Sequence, residues 1–119
     1  MATILIVDDD EDIRDSLCGM LEADDHRVME AADGAEAMQC WRSLTLDLII
    51  TDFAMPRMNG QELIQAVATQ QPRLPIIFMS CGIEEHVLSC ILHRFPSVRY
   101  LPKQLVSSHL REYVRDALT

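Results

Sequence analysis

Four apolar runs in this sequence each lead onto residues that can do chemistry. The stretch ILIVDDDEDI passes from Ile4–Val7 straight into five acids, Asp8 to Asp12. LIITD closes on Asp52, PIIFMS on Ser80, and YLPK on Lys103. Carboxylates that face one another repel and lose hydration, a cost that a cation offsets. Their hard oxygens suit Mg²⁺, which takes one or two carboxylates and keeps waters and a phosphate oxygen. Taken singly, each residue has a plainer use: Asp8 and Asp9 as helix-capping acids, Asp52 as a turn former, Ser80 as a small strand end, Lys103 as a solvated cation. The chemistry depends on whether the fold gathers them.

The elements that would carry them alternate. Thr3–Val7 is a nearly continuous apolar strand, and Ile13, Leu17, Met20 and Leu21 then follow the spacing of a helix with one buried face. Asp10 to Asp12 fall at the start of that helix, where they can cap it and complement its dipole. Arg27–Ala31 is a more polar strand, and Asp33-Gly34 turns into a helix marked by Ala35, Met38 and Trp41. Leu48–Thr51 is again apolar, and Asn59-Gly60 breaks the chain before Leu63, Ile64 and Val67. Pro75 opens the strand Ile76–Met79. Glu84 and Glu85 begin a helix carrying Val87, Cys90 and Ile91. Val98–Leu101 is a fifth strand, and Leu110, Val114 and Ala117 line the last helix.

Such alternation predicts a parallel sheet with helices on both faces. The first, third and fourth strands are wholly apolar, as strands buried on both faces are, whereas the second and fifth are mixed, like edges. The expected fold is therefore α/β and flavodoxin-like: a doubly wound five-stranded parallel sheet in the order 2-1-3-4-5, with five helices. Ligands of such sheets bind beyond the carboxyl ends of the strands at the switch point, here between strands one and three. Asp8, Asp9, Asp52, Ser80 and Lys103 all map to that end.

Composition narrows the partners. The 119 residues suit one domain, and 49% hydrophobic content opposes disorder. No apolar run approaches the ~20 residues of a membrane span, and no signal-peptide pattern precedes the first strand. The expectation is a cytoplasmic protein without a membrane partner. A net charge of −9 opposes direct nucleic-acid binding. Cys18, Cys40, Cys81 and Cys90 form no C-x-x-C pair, so reduced, mostly buried thiols are expected.

Together, ILIVDDD, LIITDFAMPRMNG, PIIFMS and YLPK, in this order and spacing, resemble the receiver domain of two-component response regulators. This is the family of the bacterial chemotaxis regulator, and the likeness runs from Thr3 to Leu118. It implies that Asp52 is the phosphoacceptor. Asp9, Asp52 and the Ala54 carbonyl would ligate Mg²⁺, with Asp8 acting largely through metal-bound water. Ser80 would hydrogen-bond a phosphoryl oxygen, Lys103 would pair with the phosphoryl group, and Tyr100 matches the aromatic switch. Pro56 and Gly60 match the loop after the acceptor.

The resemblance also implies a sensor histidine kinase or phosphotransfer protein as donor. A downstream protein partner would bind the face made by the fourth helix, fifth strand and fifth helix. The chain would catalyse only its own phosphorylation and dephosphorylation. Residues 1–119 are expected to be a single receiver domain without an output domain, standing alone or excised from a larger protein.

Two features depart from the family pattern. Gln104 follows Lys103 where the family has proline, and Pro102 precedes it. A cis bond without proline costs about 2.5–4 kcal/mol, so a trans Lys103–Gln104 bond is expected. Pro96 and Ser97 replace the usual Gly-Ala before the fifth strand. Ala54 and Gly82, which flank the acceptor, cannot orient an attacking water, which predicts a long-lived acyl phosphate. A phosphorylation-independent pseudo-receiver is the competing reading. It would be favoured by loss of Asp52 or Lys103, and both are present. A haloacid-dehalogenase phosphohydrolase needs a second Asp where Ala54 stands. A flavodoxin needs a phosphate-cradling first loop where Asp8 to Asp12 stand.

Overall fold

Continuous apolar runs become the strands of the sheet interior, and capped amphipathic segments become the helices around it. The computed structural model describes residues 1–55 and 58–119. In chain order these are β1 (Thr3–Val7), α1 (Glu11–Ala23), β2 (Arg27–Ala31), α2 (Gly34–Ser43), β3 (Leu48–Asp52), α3 (Gly60–Gln70), β4 (Ile76–Ser80), α4 (Glu85–Arg94), β5 (Val98–Pro102) and α5 (Val106–Leu118). A 3₁₀ turn, Lys103–Leu105, leads from β5 into α5.

The sheet is parallel throughout, in the order β2-β1-β3-β4-β5. Side chains alternate across it even though the central runs are apolar on both faces. Leu5, Val7, Ile49 and Phe78 pack toward α2, α3 and α4, with Leu63, Ile64, Val67 and Ile91. Ile4, Ile6, Ile50, Ile77 and Met79 pack toward α1 and α5, with Leu17, Leu21, Leu110 and Val114. In register, Val7 lies beside Thr51, Asp52 beside Met79, and Ser80 beside Pro102. The residues following β1, closing β3 and β4, and following β5 therefore share one rim.

Side-chain oxygens start three of the helices. Asp10 caps α1, accepting from the N–H groups of Asp12 and Ile13, and Asp33 caps α2 through the Glu36 N–H. Asn59 and Glu62 form a reciprocal capping box on α3. At α4, Glu84 makes no such bond. Gly60 passes close beneath the end of β3. A Cβ there would lie 2.6 Å from the Asp52 carbonyl oxygen and 2.7 Å from Phe53 Cα, so glycine is required. Among the described residues, no helix is long and apolar enough to cross a membrane.

The residues that marked two of the helices differ in burial, and the expectation for the thiols needs correction. On α2 the buried residues are Gly34, Ala37 and Met38, whereas Ala35 faces solvent. Trp41 is half-buried, and its indole N–H donates to Gln71 Oε1 at 2.5 Å. On α4 Ile91 is buried but Cys90 is exposed. The thiols are not mostly buried: Cys18 is buried, Cys40 half-buried, and Cys81 and Cys90 exposed. Short helices resting on one flank of a sheet bury a narrow stripe, and the cysteines on α4 and the β4–α4 loop fall outside it.

Candidate functional site

The site is built from the loop after β1. Asp8 is fully buried, and nearly all its polar groups are held locally. Its N–H donates to the Ala31 carbonyl at 3.1 Å. Its Oδ1 accepts from the Asp10 N–H at 2.9 Å, and its main-chain carbonyl accepts from Arg14 Nη1 at 2.6 Å. Oδ2 is buried without a hydrogen-bond partner. Such an oxygen is costly unless something else satisfies it.

What faces it is charge. Asp8, Asp9 and Asp52 each bring a carboxylate oxygen to within 4.8 Å of the others. Asp52 is the last residue of β3 and is buried, while Asp9 is exposed at the mouth. From the far side of the sheet, Lys103 Nζ lies 3.3 Å from Asp52 Oδ1 and 3.8 Å from Asp8 Oδ2. Burial pushes the Asp8 carboxyl up to about 6; the Asp10 N–H pulls it back, and the Asp52 charge raises it again. Burial also raises the Asp52 carboxyl, against the pull of Lys103 and the Ala54 N–H. Burial disfavours the Lys103 ammonium, but Asp52 and Asp8 outweigh it, and its pKa stands above the ordinary lysine value.

Among the described residues, three carboxylates stand against one ammonium, which leaves them short of positive charge. The donor set is all oxygen, and one buried oxygen lacks a partner. These residues fit a small divalent cation such as Mg²⁺.

The remaining sequence-derived residues line the same rim with different local bonds. Ser80 is buried at the end of β4. Its hydroxyl donates to the Gly82 carbonyl at 2.7 Å and accepts from the Gly82 N–H at 3.1 Å, so it closes its own turn. Tyr100 is half-buried on β5, with its hydroxyl 3.4 Å from the Ser80 carbonyl and its ring 5.2 Å from that of Phe78. It is already turned toward β4. Phe78 also packs against Phe53, at 5.4 Å. Ala54 is exposed two residues beyond Asp52, and Gly60 abuts the end of β3. Pro56 lies outside the described residues. There is no cis bond at Lys103–Gln104, as the missing proline predicts.

Sequence reasoning passed over Arg14 and Glu30. Arg14 lies in the second turn of α1, bonds the Asp8 carbonyl, and donates from Nε to Glu30 Oε1 on β2 at 3.3 Å. The available signal was a basic residue six places after the first pocket acid with an acid on the neighbouring strand, but its main target is a backbone atom that no pattern of side chains announces.

Comparison with known proteins gives a consistent picture. A family model described as the response regulator receiver domain matches residues 4–115. Sensor kinase CckA of Brucella abortus is 29% identical over 119 residues, covering 98% of this chain and 12% of that protein. Response regulator GtcR of Aneurinibacillus migulanus is 40% identical over 78 residues, covering 66% of this chain and 32% of that protein. The chain thus spans less than a third of the length of either relative. Among solved structures, the chemotaxis protein CheY4 of Vibrio cholerae superposes with a TM-score of 0.89 at 28% identity, over 99% of both chains. The receiver domain of the hybrid histidine kinase CckA gives 0.81 at 29% identity, over 98% of this chain and 99% of that one.

Proposed function

The chain belongs to the response regulator receiver family, and from that premise we propose that it accepts a phosphoryl group on Asp52 from a sensor histidine kinase or phosphotransfer protein in a Mg²⁺-dependent reaction. One observation carries the reading: Asp8, Asp9 and Asp52 converge with Lys103 on a pocket where Asp8 Oδ2 has no hydrogen-bond partner. Asp9, Asp52 and the Ala54 carbonyl would hold the cation directly, and Asp8 through metal-bound water. When bound, Mg²⁺ supplies neutralising charge for the phosphoryl oxygens.

The chain's own groups do the rest. A carboxylate oxygen of Asp52 forms the new bond to phosphorus as the bond from phosphorus to the donor's histidine nitrogen breaks. The transition state is loose, so positioning and charge matter most. Lys103 is within reach of one phosphoryl oxygen, because it already sits 3.3 Å from Asp52. Ser80 has one hydroxyl proton, now given to the Gly82 carbonyl. A phosphoryl oxygen beside Asp52 competes for that proton, and the competition reshapes the β4–α4 turn.

Tyr100, hydrogen-bonded to the Ser80 carbonyl, would follow the change into β5. The output face is then α4, β5 and α5, where Leu92 of α4 stands exposed, as does Leu105 in the 3₁₀ turn before α5. A downstream protein partner, rather than a nucleic acid, fits the net charge of −9. Cytoplasmic placement, where such kinases present their phosphohistidine, goes with this reading.

Incubation with acetyl phosphate and Mg²⁺, followed by intact mass measurement, tests it. One phosphoryl group should add to the wild type and none to Asp52→Asn, and chelation of Mg²⁺ should prevent the reaction. If Asp52→Asn gains the same mass, the acceptor lies elsewhere.

A further inference from the structure

Arg14 touches neither Asp52 nor any side chain assigned to the cation, yet it is anchored at two points. Its side chain is 15% exposed, although it rises from a helix whose outer face is acidic. Its guanidinium fork is divided between two elements: Nη1 to the Asp8 carbonyl at 2.6 Å and Nε to Glu30 Oε1 at 3.3 Å. Glu30 is itself placed by the β1–β2 register, opposite Ile6, and also faces the buried Cys18 thiol. The arginine therefore bridges α1, β2 and the loop after β1.

The Asp8 carbonyl belongs to the peptide unit that joins Asp8 to Asp9. That unit is planar, so holding its oxygen, together with the Asp8 N–H on Ala31 and the Asp10 N–H on Asp8 Oδ1, restrains the torsions that aim both neighbouring side chains. A charge-assisted bond of 2.6 Å is a strong restraint. With the Asp8 N–H on Ala31 and Oδ1 on Asp10, the bond from Arg14 leaves Oδ2 as the side-chain oxygen turned toward the pocket.

We propose that Arg14 is a positioning residue for the cation site: by bridging the Asp8 carbonyl and Glu30 it holds the Asp8–Asp9 peptide in the orientation that lets both carboxylates serve one divalent ion. This rests on the phosphoacceptor reading above, and it makes a claim of opposite sign to simple electrostatics. Removing a positive charge beside an acidic pocket should tighten cation binding if charge alone matters. Removing a positioning residue should weaken it.

The probe is Mg²⁺ alone, titrated calorimetrically into the wild type, Arg14→Ala, Arg14→Lys, Glu30→Gln and Arg111→Ala. Arg111 pairs with Asp24 at the opposite end of the sheet, so its loss removes the same charge without touching the loop. Arg14→Ala should weaken Mg²⁺ binding about 10–100-fold, the usual cost of losing an outer-shell anchor. Arg14→Lys keeps the charge but not the planar fork and should recover part of the affinity. Glu30→Gln should fall between wild type and Arg14→Ala, and Arg111→Ala should match wild type.

Labelling of Arg14→Ala by acetyl phosphate should approach the wild-type rate once Mg²⁺ saturates, because the defect lies in cation binding. Unchanged or tighter Mg²⁺ binding by folded Arg14→Ala overturns the proposal, as does a lowered melting temperature with unaltered affinity. If Arg14→Ala does not fold, wild-type affinity in both Arg14→Lys and Glu30→Gln overturns it. Failure of the wild type itself to bind Mg²⁺ or take up phosphate defeats the underlying phosphoacceptor reading instead.

Discussion

α1 starts from Asp10, whose carboxylate accepts two main-chain N–H groups, whereas α4 starts from Glu84, whose side chain makes no capping bond. The two helices follow the strands that lead to Asp8 and Ser80, and they pack on opposite faces of the sheet. α1 buries Leu17, Cys18 and Leu21 and is tied to β2 through Arg14, while α4 buries Ile91. Few buried apolar residues and an uncapped start mark a segment that opens at low free-energy cost. The flank that would hold the cation is over-determined, and the flank that would report on the phosphoryl group is loosely seated. A switch needs both properties, because a site that moved with its own output would lose the charge that drives the change.

The comparison can be tested from the strongest expected effect downward. Asp8 has a folded-state pKa of about 6 against an ordinary 3.8, so the native chain binds that proton more tightly than the unfolded one. The stability it contributes is fully present below the ordinary value and is lost as pH rises through about 6. Metal-free Asp8→Asn should therefore be more stable than wild type at pH 7 by about 2 kcal/mol, and the gap should close toward pH 4. Saturating Mg²⁺ should narrow that gap, because the ion binds the wild type more tightly than a variant that lacks the Asp8 carboxylate. Chemical denaturation in chelator at the two pH values decides it. A destabilised Asp8→Asn at pH 7 would mean that the buried carboxylate carries no penalty.

Asp10→Ala comes next. Loss of its cap should cost about 1 kcal/mol in urea denaturation, together with some Mg²⁺ affinity, because the same loop carries Asp8. Glu84→Ser adds a cap where α4 lacks one and should stabilise by about 0.5–1 kcal/mol. Hydrogen exchange in the wild type should show α4 amides opening more readily than those of α1. Equal protection in the two helices, with no gain from Glu84→Ser, would erase the contrast.

The sequence was a good guide where both faces of an element are buried. β1, β3 and β4 read as nearly unbroken apolar runs because both their faces are buried, with Thr51 the polar exception, and Asp8, Asp52 and Ser80 followed from their ends as Lys103 did from that of β5. Helical phase was harder. Ala35 and Ala37 are chemically identical and Trp41 is only half-buried, so the residues that marked α2 did not say which alanine faces inward. Cys90 beside Ile91 posed the same problem on α4. The link from Arg14 to a main-chain oxygen was invisible because its partner has no letter in the sequence. The spent hydroxyl of Ser80 was also hidden: a serine at a strand end does not say which acceptor it has chosen.

The indole of Trp41 has a practical consequence. It sits at the carboxyl-terminal end of α2, bonded to Gln71 just past α3, and helices in such crossovers run opposite to the strands. That places the chain's single tryptophan at the end of the sheet away from Asp8, Asp9 and Asp52. Its emission should record the melting of the α2–α3 layer and stay nearly silent during labelling, so an optical assay of activation needs a dye or a new tryptophan on the opposite rim.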